Sequence, residues 1–283
     1  IFCFDKARNH NMDQIPKEYE WFLWLDVDDV LRNGAKLHEV AEFAQKNNLD
    51  AVYFNYLYQV EVDNGKIKHV IIEHLRERLL RNNGFYKWIA PIHETLIEQK
   101  PTRKADDNRC DVVHLTIDER RLAAIKRNIG NLEYTIYLSK GEDPRPIFYL
   151  AKAYYDLRET KYDDRAIPLI NQYLVGDHKS GWQEERSQAW GYLGEIYRRK
   201  SQHDNSVKAF MNSLIEFPEF PDTYLQLAIT YMLKGMWERS LFWVRKASET
   251  PELKTTLIKN PKDYQLRMMQ VIYNCSLNLS KVD

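Results

Sequence analysis

The second half of this chain repeats itself. Trp190, Leu193, Gly194, Tyr197, Ser206, Phe210 and Ser213 recur 34 positions later as Tyr224, Leu227, Ala228, Tyr231, Ser240, Val244 and Ala247, and Pro218 and Pro251 close the two units. One helical hairpin cannot bury its apolar face alone, but stacked against copies of itself it can. A period of this length therefore demands a helical array. The small residues let paired helices approach, and the large ones fill the space between them.

The order large–Leu–small–Tyr, then small–bulky–small, resembles the tetratricopeptide repeat. Leu150, Ala151 and Tyr154, followed by Ala166, Ile170 and Tyr173, read as an earlier unit with about three extra residues in its inter-helix turn. Residues 263–279 are expected to form a terminal helix that covers the last repeat, as array ends require. Helical periodicity begins at Asp118 and runs almost to the C-terminus.

Before Asp118 the grammar differs. The chain opens on IFCFDKARNH, read as strand or loop, and residues 21–25 form a strand candidate. Residues 34–48 are helical, with Leu37, Val40, Ala41 and Ala44 on one face. Residues 51–62 are aromatic and β-branched, as a strand should be. Asp63, Asn64 and Gly65 supply a hairpin turn, with 66–72 as the returning strand. Short strands are expected at 78–81, 85–89 and 112–115.

Charge excludes little. Lys plus Arg (41) balance Asp plus Glu (41), so no global field favours nucleic acid or an acidic membrane. Cys3, Cys110 and Cys275 are far apart, which argues for reduced thiols rather than a disulfide framework. With no apolar stretch near the ~20 residues of a membrane helix, a soluble, cytoplasmic protein is expected.

The stretch WFLWLDVDDVL sets an apolar run against three aspartates. On an extended segment Asp26 and Asp28 would share a side, where paired carboxylates suit a hard divalent cation. Alternatively Asp28 or Asp29 caps the helix that follows. The succession FDKARN, LDVDD, RLLRN (residues 78–82), His93-Glu94, Val112-Val113-His114 and Arg127-Asn128 resembles the family-2 glycosyltransferases of GT-A fold that carry C-terminal tetratricopeptide repeats.

That resemblance implies a central strand at 21–25 whose acidic end is a metal and sugar-nucleotide site. Asp28 and His114 would ligate Mn²⁺ or Mg²⁺, with Asp26 at the metal's shell or the ribose; imidazole ligation favours manganese. Arg8 and Asn9 would contact the nucleotide or brace the D-x-D loop, although Arg8 reads equally as a salt bridge to one of the aspartates. Glu94 would be the general base, or would pair with Arg81 or position the acceptor. His93 would orient Glu94 or the sugar. Trp88 would stack on a sugar ring or pack in the core. Asp29 stands where the family often has Glu.

The expected fold is an α/β GT-A-like domain over 1–117, a connecting helix over 118–143 and tetratricopeptide-like helical repeats over 144–283. Family members open with a βαβ unit that holds the nucleotide base. Nothing before Ile1 supplies one, so an N-terminal segment is expected to be missing. The implied activity is metal-dependent, inverting transfer from a nucleotide sugar, a UDP-sugar in first place. Its acceptor is a protein, peptide, glycan or modified nucleic acid, and the repeats serve acceptor binding or homo-oligomerisation. The alternative is a tetratricopeptide interaction scaffold on a catalytically inactive GT-A remnant.

Overall fold

The computed structural model describes residues 3–64, 66–115, 118–175, 182–251 and 261–280. One compact unit runs to Arg121 and a second starts at Leu122. Among the described residues, the first unit contains α1 (Phe4–Asp13), β1 (Trp21–Leu23), β2 (Asp29–Arg32), a 3-10 turn (Gly34–Lys36), α2 (Leu37–Lys46), β3 (Ala51–Asp63), β4 (Lys66–Arg81), β5 (Tyr86–Ile89), β6 (Thr95–Glu98) and β7 (Lys104–His114). Five strands form a mixed sheet in the order β1-β4-β3-β7-β2, and β5 pairs with β6 alone. Only β3 and β7 run parallel; the other pairs are antiparallel.

The amphipathic α2 closes one core. Val40 and Ala44 are fully buried and pack with Val52, Phe54, Leu79, Cys110 and Val112 of the sheet, while Leu37 and Ala41 line the margin. A second cluster joins Ala51, Leu80 and Tyr86, with Met12, Phe22, Trp24, Phe85 and Leu96 against it.

Several sequence expectations change here. The FDKARN segment is helical, since it begins α1. Strand β1 stops at Leu23 and, among the described residues, pairs only with β4, so it is a sheet edge rather than a central strand. Its apolar character has another cause: Arg81 lies over Trp21, and three guanidiniums surround Trp24. The segments 66–72 and 78–81 are one strand, β4, and 112–115 is the end of the longer β7. Asn64 turns the β3–β4 hairpin with φ 49°, and Gly65 lies outside the described residues. The helix-cap reading fails, because Asp29 starts β2 and the residue before α2 is Lys36.

The second region is a row of helices: α3 (Asp118–Leu138), α4 (Pro144–Asp156), α5 (Thr160–Val175), α6 (Gln183–Arg199), α7 (His203–Glu216), α8 (Pro221–Leu233), α9 (Trp237–Glu249) and α10 (Pro261–Leu279). The pairs α4/α5, α6/α7 and α8/α9 stack in tetratricopeptide fashion. Gly194 shows why the small position is small: a Cβ there would lie 2.7–2.9 Å from three ring atoms of the buried Phe210. Buried serines at other small positions are satisfied across the pairs. Ser213 Oγ donates to the Ser187 carbonyl at 2.9 Å, and Ser240 Oγ to that of Ala228 at 2.7 Å. Val271 and Cys275 of α10 pack on Leu225, Ala228, Val244 and Ala247, so the last pair is covered.

The earlier repeat needs no longer turn. Residues 157–159 join α4 to α5, matching 200–202 between α6 and α7. The small position opposite Ser206 is filled by Asp163, buried and ion-paired with Arg199, and Ala166 aligns with Ala209. A charged residue at a small-residue position hid this register. Among the described residues, no helix is long and apolar enough to cross a membrane.

Candidate functional site

The site is set by strand register. Antiparallel pairing of β2 with the end of β7 puts Asp29 directly opposite His114, and the Leu115 N–H donates to the Asp28 carbonyl at 2.8 Å. Residues 24–28 are not a strand continuation. They turn, and the Asp29 N–H closes on the Asp26 carbonyl at 3.0 Å. The turn fully exposes Val27 and sends Asp26 and Asp28 to different neighbours.

Asp28, Asp29 and His114 lie close enough to offer ligand atoms to one cation; Asp26 is not in that group. The three differ in what they have left to give. Asp28 is 58 % exposed, with its Oδ1 3.6 Å from His114 Nδ1. The Asp29 side chain is wholly buried. Its Oδ1 accepts from Tyr56 Oη at 2.9 Å and faces His114 Nδ1 at 3.2 Å. Its Oδ2 accepts from the Asp26 N–H at 3.0 Å and pairs with Arg78 Nη1 at 3.0 Å. An ionised carboxylate has about four acceptor positions; here two take hydrogen bonds, and an ion pair and the His114 ring lie against the same two oxygens.

Burial alone would raise the Asp29 pKa, but the His114 hydrogen bond, the Arg78 charge and the Asp26 and Tyr56 hydrogen bonds outweigh it, holding the carboxyl below its usual range. The hydrogen bond to Asp29 in turn pushes His114 up against the effect of burial, with help from the charge of Asp28. Arg78, completely buried, lies 4.0 Å from the Trp24 ring and 4.3 Å from the Tyr56 ring, and desolvation lowers its pKa. Tyr58 stacks on His114 with centroids 5.2 Å apart and planes 9° from parallel.

A second network stands beside the first. Arg8 donates from Nη2 to Asp26 Oδ1 at 2.6 Å and from Nε to Glu94 Oε1 at 2.7 Å. Its guanidinium carbon sits 4.9 Å from the Trp24 ring and 4.8 Å from the Trp88 ring. Burial would lower the Arg8 pKa, but the two carboxylates raise it. Glu94 thus pairs with Arg8, whereas Arg81 lies near Glu20 at 3.9 Å. Trp88 is 2 % exposed, which makes it a packing residue rather than a sugar platform. Asn9 anchors α1 to the β5 backbone by accepting from the Trp88 N–H at 2.9 Å and donating to its carbonyl at 2.8 Å. His93 occupies the left-handed region at φ 51°. Arg127 bonds its neighbour Asn128 at an exposed position of α3.

Tyr56 is not singled out from the sequence, and Arg78 enters there only as the first residue of RLLRN, with no role of its own. The alternation Phe54, Tyr56, Tyr58 on β3 was the available signal for one aromatic face, but nothing local marks Arg78 among its neighbouring arginines.

No family model matches the chain, and no curated protein matches it in sequence. Solved structures do resemble its helical part. A crystal structure of MamA is similar at 16 % identity and TM-score 0.45, covering 58 % of this chain and 78 % of that one. Another MamA structure gives 14 % and 0.41, covering 59 % and 97 %. BtubC (BKLC) from P. vanneervenii gives 18 % and 0.42, covering 59 % and 67 %. These likenesses are too distant to transfer a function.

Proposed function

We propose that the two units divide the labour. The stacked repeats serve as a protein-interaction module, a use that helical arrays support through their extended surfaces. The sheet unit serves metal-dependent, inverting glycosyl transfer from a nucleotide sugar, with UDP-sugars first in line. One observation carries the second part: exposed Asp28 and the largely buried His114 stand together, and a separate carboxylate, Glu94, is held in place by Arg8.

The donor set fits Mn²⁺ or Mg²⁺, because one carboxylate and one imidazole leave positions for phosphate oxygens and water. Asp28 and His114 would hold the cation, which would supply the charge to neutralise a diphosphate leaving group. Arg8 fixes Asp26 and Glu94 relative to each other, and Asn9 fixes the helix that carries Arg8. Glu94 takes the acceptor's proton.

The test is calorimetric titration of Mn²⁺ and a panel of nucleoside diphosphates into the protein, with Asp28→Ala and His114→Ala alongside. Metal-dependent binding, lost in both variants, is the expected result. Absence of any nucleotide binding would leave the second reading, a repeat scaffold on a catalytically silent sheet. That reading is favoured by the engagement of both Asp26 and Glu94 with Arg8 inside the protein.

A further inference from the structure

Asp29 is the residue for which the family resemblance gives no role. Its carboxylate lies nearest to His114 yet is already hydrogen-bonded by Tyr56 and the Asp26 amide, ion-paired with Arg78 and in contact with Nδ1 of the His114 ring. A cation taking an Asp29 oxygen would displace one of these donors, and the completely buried Arg78 would lose its carboxylate partner. Asp28, by contrast, is 58 % exposed.

We propose that Asp29 is a positioning residue, buttressed by Arg78 and Tyr56, that takes the Nδ1–H of His114 and so leaves Nε2 of that ring as the cation's ligand. A carboxylate behind a ligating histidine fixes its tautomer and ring orientation, and its loss commonly weakens metal binding 10–100-fold. Arg78 holds one Asp29 oxygen, and Tyr56 shares the other with the imidazole. Tyr58, stacked on the ring, limits its rotation. The cation's share of this inference rests on the metal-binding reading above; the tautomer does not.

Two readouts separate them. Nitrogen NMR of the metal-free protein, with the ring neutral, is expected to show His114 as the Nδ1–H tautomer, and that form should be depleted in Asp29→Asn. Mn²⁺ titration followed by electron paramagnetic resonance should show binding weakened about 10–100-fold in Asp29→Asn and removed in Asp28→Ala. An Nε2–H tautomer in the unaltered protein overturns the proposal without any variant. So does Mn²⁺ binding abolished in Asp29→Asn as completely as in Asp28→Ala, which would make Asp29 a ligand. Unchanged affinity in Asp29→Asn overturns it too. If Asp28→Ala binds Mn²⁺ normally, the metal reading fails on its own, and the tautomer result still decides what Asp29 does. Tyr56→Phe, which removes one hydroxyl, provides a gentler variant should Asp29→Asn fold poorly; it should shift the tautomer in the same direction.

Discussion

The two units solve the problem of a stable interior differently. In the helical region the important contacts join neighbouring helices, and small residues decide how closely these approach, as Gly194 does against Phe210. In the sheet unit a charge lies at the centre. Arg78 and Asp29 are both fully buried at the side chain, and they are held by aromatic faces and residues far away in sequence. The array holds a buried carboxylate of its own, Asp163 paired with Arg199, but its apolar layers tolerate change one at a time. A buried ion pair does not, because removing either partner strands the other.

The largest test of this contrast is Asp29→Ala, which leaves Arg78 buried without its carboxylate. Denaturant unfolding should show a loss of about 3–5 kcal/mol confined to the sheet unit. Adding Arg78→Leu should recover part of it; no recovery would mean that shape, not charge, governs this core.

A smaller effect comes with acid. Burial, with the nearby charges of Arg76 and Arg78, pushes His74 down to about 3 from 6.5. Above 6.5 neither the folded nor the unfolded form is protonated there. As pH falls below 6.5, the unfolded chain takes a proton that the folded one refuses. Stability should therefore decline by about 1–2 kcal/mol by pH 5. The loss should be seen in sheet amides by hydrogen exchange and be absent in His74→Phe. Equal acid sensitivity in the repeats would erase the distinction.

In the array, Gly194→Ala sets two rules against each other. Helix propensity favours alanine by about 1 kcal/mol, but the new Cβ would meet the Phe210 ring at 2.7 Å, and overpacking costs about 1–3 kcal/mol. A net loss of about 1 kcal/mol is expected in thermal unfolding, and a gain would show that this layer yields. The smallest effect is at the start of α4, where the Asp143 side chain accepts from the Arg145 N–H at 3.0 Å. Asp143→Ala should cost about 0.5–1 kcal/mol, measured by exchange of the first-turn amides.

The same contrast governs what could be read from the sequence. The 34-residue period is local, so the helix pairs and buried Leu193, Phe210, Leu227 and Val244 were legible from spacing. The array misled only where Asp163 replaced a small residue. In the sheet unit α2 and β3 were legible, but β2 was not, because four residues after a turn carry no periodicity. The edge position of β1 was equally hidden, since an apolar run reads the same whether it packs in a sheet or around guanidiniums. The residues of the candidate site were picked out one by one, but the partners Asp29–His114 and Arg8–Glu94, 85 and 86 positions apart, follow from strand register in the first case and from the docking of α1 on β5 in the second, not from spacing.

That last separation also sets a clock. Asp29 leaves the ribosome long before His114, and β2 lacks its pairing strand until β7 has been made. At the usual pace of synthesis the interval is on the order of ten seconds. Throughout it, the acidic turn and the first sheet strands exist without the strand that completes the site. A nascent chain arrested before residue 114 would hold all three of Asp26, Asp28 and Asp29 and still have nowhere to assemble them. The helical pairs, by contrast, can form as each is made.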